Sequence, residues 1–398
     1  MIFKLAWRNI WRQPRRTWLN ASGIMLVTGI MIFLPSFQQG SYRAMIRASV
    51  NVLDGYGQIQ RSDYMEEPSI RNGFLVTDEL KTWLEERLPD DSYTERASGF
   101  ALLSSEERSL GAQIVGVDPA KDPNLSAVPR NIAEGRYLNG GAEILLGEGL
   151  ARNLRAKVGD RITIIGTGRD GTLAADALEV VGVFHSGMPD LDRNLAEMPI
   201  GRFDATFSMD GERHAIVLSE AGASQLAGLA MPEDDLVFRT WRELQPGLLQ
   251  AIRIDIGSAV MMYLILVIVI CFSLLNSVLI STLERTREFG MMLALGTNPA
   301  LLSKVVWVEN SLILGLGLLG GCGLGVGVTA WLERTGIRFE KSEEIFAQYG
   351  LSSTLYPYMS ELTLLLGPCV IAVLALALGL YPSVRVRRLT AIEAMKAV

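Results

Sequence analysis

Four stretches of this chain carry no charged residue: Thr17–Tyr42, Ile256–Leu283, Asn310–Leu332 and Leu362–Val384, of 26, 28, 23 and 23 residues. A helix needs roughly 20 apolar residues to cross a ~30 Å hydrocarbon core, and every stretch exceeds that length. A polar stretch of more than 200 residues separates the first stretch from the second. That is enough chain to bury a core of its own. The mean hydropathy of +0.26 is therefore an average over two unlike populations. The expected fold class is a membrane α-helical protein with four transmembrane helices and a large α+β extracytoplasmic domain inserted between helices 1 and 2.

The charges outside the spans are unevenly distributed. The first 16 residues hold Lys4, Arg8, Arg12, Arg15 and Arg16 and no acid, whereas residues 40–254 hold 22 basic and 33 acidic residues. The segment 284–304 and the tail from Arg385 are also net basic, and the loop 333–361 is net acidic. Four spans put the N-terminus, the 284–304 segment and the C-terminus on one side. Basic loops face the cytoplasm, so the expected topology has both termini cytoplasmic and the acidic domain periplasmic or extracellular, in a multi-pass cytoplasmic (inner) membrane protein. The three cysteines, Cys271, Cys322 and Cys369, all fall inside expected spans, so the outward domain rests on its core rather than on disulfides. The first apolar run is longer than a cleavable leader and lacks a small-x-small site, which favours an uncleaved anchor.

Periodicity fills in this outline. Ile2, Leu5, Ala6 and Ile10 recur at helical spacing with Trp7 and Trp11 between Arg8 and Arg12, so residues 1–16 are expected to form a cytoplasmic interfacial helix in which Trp7, Arg8, Trp11, Arg15 and Arg16 suit the headgroup region. The pattern of the first span runs on through Met45, Ile46 and Val50 to Asp54-Gly55, and an apolar approach from Leu244 leads into the second. Domain boundaries are accordingly expected at 17–53 (span 1 with a stalk), 54–243 (outward domain), 244–283 (stalk and span 2), 284–302, 303–332 (span 3), 333–361 (outward loop), 362–384 (span 4) and 385–398 (cytoplasmic tail). Within the outward domain, β-branched runs at 112–117, 142–146, 161–165, 178–184, 214–218 and 236–239 predict strands, and 148–155 and 220–229 predict short helices. Gly317, Gly321 and Gly325 form a small-xxx-small stripe in the third span, suited to close helix packing or to a sliding or dimer face.

Catalytic signatures do not emerge. No G-x-x-x-x-G-K-[ST] loop is present, so no nucleotide-hydrolysing site is expected here. Gly166, Gly168 and Gly171 match G-x-G-x-x-G after a strand, but a second strand-like run follows, which predicts a β-turn. His185 and His214 have no metal-ligand spacing, Asp190 and Asp192 look like a solvated acidic loop, and the acidic surplus argues against nucleic acid. Neither a catalytic residue nor a metal or cofactor site is expected. Glu309 is the exception that needs explaining, because a carboxylate at the start of an apolar span requires a partner or a conformational role, and it lies five residues after Lys304.

Residues 281–296, with Glu284, Arg285, Arg287, Glu288, Gly290, Met291, Met292, Ala294, Leu295 and Gly296, resemble the E-R-x-x-E-[IF]-G-x-x-x-A-x-G signature of FtsX-like permeases, the MacB and lipoprotein-releasing type of ABC transporter (type VII). Leu5–Ile10 through Arg15-Arg16-Thr17, Glu309 at the third span, and Tyr381 to Ala394 are similar to other parts of that pattern. Gly116–Pro119, Gly135-Arg136 and Leu150 through Asp160 resemble the MacB-like periplasmic core domain. The format is closest to that of the lipoprotein-releasing permeases.

The resemblance implies that the 284–296 segment is a cytoplasmic coupling helix docking on separate ABC ATPase subunits, which bind ATP and magnesium. It also implies a second permease subunit, a homodimer or heterodimer, and a lipoprotein substrate or periplasmic carrier. Charged residues would keep the start of that helix at the surface, Met291, Met292 and Leu295 would offer an adaptable apolar face, and Gly290 and Gly296 would permit tight turns. The expected function is a non-enzymatic permease subunit that couples ATP hydrolysis elsewhere to extraction or export of an amphiphile at the outer leaflet by mechanotransmission. The alternative is a membrane-anchored regulator or sensor whose outward domain activates a hydrolase or signalling partner without moving cargo.

Overall fold

The computed structural model describes residues 2–12, 14–339 and 353–387. Two helices open the chain, α1 (Ile2–Arg12) and α2 (Pro14–Val50). There follow β1 (Gly57–Arg61), β2 (Phe74–Leu75), α3 (Asp78–Glu85), β3 (Tyr93–Ser104), β4 (Ser109–Val117), α4 (Asp122–Leu125), β5 (Ile132–Gly135), β6 (Glu143–Gly147) and α5 (Glu148–Leu154). Next come β7 (Arg161–Thr167), β8 (Leu173–Phe184), α6 (Pro189–Asn194), β9 (Leu195–Pro199), α7 (Ile200–Phe207), β10 (Glu212–Arg213), β11 (Ala215–Leu218), α8 (Glu220–Leu226), β12 (Leu236–Thr240) and α9 (Trp241–Leu244). The chain continues through α10 (Pro246–Glu284), α11 (Thr286–Ala294), α12 (Pro299–Thr335), β13 (Ile337–Arg338), β14 (Thr354–Leu355) and α13 (Glu361–Arg387). These elements form two compact units, one of described residues 2–43, 252–338 and 354–387, the other of 44–251 with 339 and 353.

In the first unit, α2, α10, α12 and α13 are each long and apolar enough to cross a membrane. At 1.5 Å per residue the 39-residue α10 is about 58 Å long, far beyond a ~30 Å hydrocarbon core. Apolar helices gain little from hydrophobic burial among lipid tails, so they associate where backbones approach closely. The glycine stripe of α12 provides that approach, and its partner is α2 of the same chain. A Cβ added at Gly317 would lie 2.6 Å from the Ile24 Cβ, one at Gly321 2.5 Å from the Thr28 Cβ, and one at Gly325 3.0 Å from the Gly29 Cα. Helix α13 uses the same device, since a Cβ at Gly367 would meet the Met31 Cβ at 2.8 Å. Beyond Pro35 inside α2, the backbone N–H of Tyr358 donates to the Ser36 carbonyl at 2.8 Å, so the segment before α13 lies along that helix.

The second unit has two lobes sharing one strand. Strands β3, β4, β9, β6, β8 and β7 close into a ring, because β7 pairs with β8 along one edge and with β3 along the other. Its interior holds Leu103, Ile114, Ile144, Leu146, Ile162, Ile164, Leu178 and Met198, packed with Phe203 and Phe207 from α7 and Leu150 and Leu154 from α5. The first residues of β3 belong instead to an antiparallel sheet in the order β12-β1-β11-β3. Leu80 and Leu84 of α3 and Leu226 of α8 cover it. The glycine-rich run at 166–171 is the β7–β8 turn, closed by Gly168 N–H to the Thr172 carbonyl at 2.9 Å. The expectation of a solvated loop around Asp192 is corrected: Asp192 is buried and accepts the Ser186 N–H at 2.7 Å, tying α6 to the end of β8.

The chain leaves α2 through a turn whose carbonyls are gripped from β3. Arg96 is buried, and its guanidinium donates to the Val52 and Leu53 carbonyls while pairing with buried Asp122, at 2.6 Å from Nη2. Ala127 N–H donates to the Asn51 carbonyl at 2.8 Å, and Gln245, just before α10, donates to Asp54. Glu197 of β9 is buried beside this cluster. Burial first, then the charge of Asp122, push its carboxyl up to about 8, against the opposing pull of Arg96.

Two outcomes follow. Gly321→Val should cost about 1–3 kcal/mol by forcing α2 and α12 apart, whereas Gly327→Val, whose Cβ meets nothing within 4 Å, should leave the melting temperature in detergent unchanged. Equal melting of the two variants would contradict the stripe as a packing face. The folded state also keeps the Glu197 proton to higher pH than the unfolded chain, whose carboxyl titrates near 4.5, so this contribution to stability is complete below 4.5 and is lost as pH rises toward about 8. Full-length protein should therefore melt lower near pH 8 than near pH 5, and Glu197→Gln should flatten that dependence; an unaltered slope would refute it.

Candidate functional site: the short helix between the second and third spans

Helix α10 stops at Glu284, and Arg285 turns the chain with φ −96° and ψ 5° into α11. The far end is closed by Gly296, whose φ of +91° places it in the left-handed region that glycine adopts without strain. Its N–H donates to the Leu293 carbonyl at 3.0 Å, and the next N–H, of Thr297, reaches the Met292 carbonyl at 3.0 Å. Asn298 then caps α12 by accepting the Ala300 N–H at 2.8 Å, with Pro299 at the first helical position. The nine residues of α11 are thus delimited at both ends by local chemistry.

Its two faces differ. Thr286, Phe289 and Gly290 are buried, and Phe289 packs with Leu302 and Val306 of α12 and Val386 of α13, with Met292 and Leu293 against them. On the opposite side, Arg287, Met291, Ala294 and Leu295 are exposed, and their i, i+4, i+7, i+8 spacing makes one continuous stripe. Leu295 is 87% exposed, an unusual position for a leucine at a helix end. Two sequence expectations are corrected here. Gly290 makes no turn; it lies inside α11 and is buried. Met292 is half-buried in the packed face, so the outward apolar surface consists of Met291 and Leu295.

A polar seat holds the start of α11. Arg285 Nη1 lies 2.9 Å from each carboxylate oxygen of Glu309 on α12, and both side chains are largely buried. Arg285 Nε is 3.5 Å from Glu288, which also faces Arg12 of α1 at 3.5 Å. Asn9 of α1 donates to Glu309 at 3.4 Å, and the guanidinium of Arg285 lies over the Phe289 ring. One largely buried charge pair therefore joins the start of α11 to α12, and α1 adds polar contacts to Glu309 and to Glu288 beside it. Lys304 is not the partner of Glu309: five residues turn a helix by about 140° beyond one revolution, which carries the lysine to an exposed face. Asn9 and Arg12 were absent from the expected site, and the signal that could have found them is their place one and two turns before a span whose neighbour begins with an acid. Trp7, Arg8, Trp11 and Arg15 are exposed, the side chain of Arg16 lies outside the described residues, and so does the tail motif beyond Arg387.

Fold and site together define a multi-span membrane protein with a large separate domain and a short amphipathic helix seated between its second and third long helices. The MacB-like periplasmic core domain matches residues 17–230, and the FtsX-like permease C-terminal domain matches 260–391. The chain belongs to the FtsX-like permeases that carry a MacB-like periplasmic core domain. It is similar to the lipoprotein-releasing system transmembrane protein LolC of Neisseria meningitidis serogroup B, 25% identical over 75% of this chain and 76% of that one. It is also similar to LolC of Xylella fastidiosa, at 24% over 74% and 75%, and to LolE of Haemophilus influenzae, at 23% over 72% and 71%. Among solved structures, the periplasmic region of MacB from Actinobacillus actinomycetemcomitans covers 48% of this chain and 91% of its own at 13% identity, with a TM-score of 0.33.

Removing one member of a buried ion pair leaves the other uncompensated, at a cost of about 3–5 kcal/mol. Arg285→Gln and Glu309→Gln should each lower the melting temperature, and the exchange Arg285→Glu with Glu309→Arg should recover part of the loss. Additive losses in the exchanged protein would show that the two charges do not act as a pair.

Proposed function

We propose that this chain is the permease subunit of an ABC transporter in which α11 is the coupling helix for a separate ATPase. Family membership supports the transporter class, and the observation that carries the coupling role is the stripe of Arg287, Met291, Ala294 and Leu295, left exposed on a helix whose other face is locked to α12 and α13. An exposed apolar stripe beside charges, on a well-anchored element, is what a docking helix presents to a partner groove.

In this reading α11, α12 and both chain ends face the cytoplasm, and the second unit, between α2 and α10, is the extracytoplasmic domain. ATP and magnesium are bound by the ATPase, whose closure pushes α11; the Arg285–Glu309 pair passes that displacement into α12, and the glycine stripe passes it into α2. The chain itself needs no catalytic residue. The names of its relatives favour release of a lipoprotein or similar amphiphile from the outer leaflet, with a second permease subunit and a periplasmic carrier, over a regulatory role without cargo.

Burying a Met or Leu side chain contributes about 1.5–3 kcal/mol, so Met291→Ser or Leu295→Ser should weaken the ATPase's affinity for this chain about tenfold or more. Permease-stimulated ATP hydrolysis in the reconstituted complex should fall accordingly, with the melting temperature of the permease unchanged. Wild-type stimulation in both variants would overturn the coupling assignment.

A further inference from the structure

Helix α1 buries one row of side chains, and Asn9 and Arg12 add polar contacts to its neighbours. At about 100° per residue, Ile2, Ala6 and Ile10 form that row, and Ala6 and Ile10 are buried. The adjacent row is Phe3, Trp7 and Trp11, all exposed, with Phe3 stacked on Trp7 at 6.5 Å and Trp7 edge-on to Trp11 at 6.0 Å. Next to it runs Lys4, Arg8 and Arg12, and Arg15 follows in the first turn of α2. Among the described residues, Arg12 alone of these cations reaches a carboxylate, that of Glu288; Lys4, Arg8 and Arg15 have none within ion-pair distance. The first 16 residues carry five cations and no acid in a chain whose net charge is −6, so this face is complementary to an anionic surface. Its height is set by Thr17, whose hydroxyl donates to the Ile10 carbonyl at 2.8 Å and fastens α1 to the head of the first span. Aromatic rings beside guanidinium groups at that level match the headgroup zone of a bilayer.

The same two turns of α1 also touch the coupling region, through Asn9 on Glu309 and Arg12 on Glu288. We propose that α1 is a binding surface for acidic phospholipid headgroups, held by Lys4, Arg8 and Arg15 with Trp7 and Trp11 seated among the acyl boundaries. Lipid bound there fixes α1 against α12 and thereby fixes the seat of α11, making the coupling helix responsive to the charge of the leaflet. The inference rests on the coupling assignment for its consequence, but the binding itself is read without any ATPase.

The test uses the full chain, melted in mixed micelles titrated with phosphatidylglycerol or phosphatidylcholine. Phosphatidylglycerol should raise the melting temperature in a salt-sensitive manner, and phosphatidylcholine should not. Each of Lys4→Gln, Arg8→Gln and Arg15→Gln should shift the phosphatidylglycerol midpoint by about fivefold, and Arg8→Lys with Arg15→Lys, which keeps the charge, should preserve it. Equal responses to the two lipids, or a triple Gln variant titrating like wild type, would overturn the proposal. So would a matching shift with glycerol phosphate alone, which would assign a site for a soluble anion instead. A stabilising lipid response together with unaffected ATPase stimulation in the Met291 and Leu295 variants would separate this inference from the coupling role.

Discussion

A carboxylate set among long apolar helices is tolerated only when something cancels its charge, and in this chain Arg285 cancels that of Glu309. The two residues belong to different helices, so their pairing fixes where α10 must stop and how α11 must lie against α12. Phe289 packs under the guanidinium, Val386 brings in the last span, and Asn9 and Arg12 bring in the first helix. Each of those contacts depends on the chain turning at Arg285. The apolar helices above this point have little reason of their own to choose one arrangement, because lipid covers them as well as protein does. Specificity comes from a few polar groups near the membrane edge and from the glycines that let α2 and α12 touch.

The amino-acid pattern made the long helices legible because absence of charge over more than 20 residues has few other meanings. Limits of the first long helix were readable too, since Asp54-Gly55 interrupts its pattern just where the turn after Val50 forms. Strands β4, β6, β7, β8, β11 and β12 of the separate domain were visible as β-branched runs, whereas β1, β3, β5, β9 and the two-residue β2 and β10 were not. Among the missed strands β3 matters most, because both lobes depend on it. Its sequence, YTERASGFALLS, carries Glu95 and Arg96 where alternation would ask for apolar residues. Arg96 is nevertheless buried, because Asp122 and the carbonyls of Val52 and Leu53 satisfy it, and none of those partners is near in sequence. Local pattern cannot register a charge whose burial is made possible from 26 and 43 residues away.

Within the site, Glu309 was recognisable as a residue in need of a partner, but its own segment names none, since the 3.6-residue turn carries Lys304, five residues earlier, to another face. Arg285 was legible as part of the E-R-x-x-E signature, but its pairing with Glu309 follows only once α10 is known to end there. The opposite error concerns Gly290 and Met292: in a short helix between spans, a glycine suggests a bend and a methionine suggests a contact surface. Both instead pack inward, and the outward stripe is narrower than the sequence implied. These residues share a property, in that their environment is set by α12 and α13 rather than by their own segment.

The shared strand has a consequence for how the separate domain can respond to force. Arg96, which grips the carbonyls just after α2, sits at the point where β3 passes from the four-stranded sheet into the closed ring. The turn after α2 is therefore held by the one strand that both lobes share. Continuous backbone pairing along twelve residues resists stretching far better than a packed interface between two lobes resists shear. The two lobes are thus tied by one unbroken strand rather than by a surface that could slip.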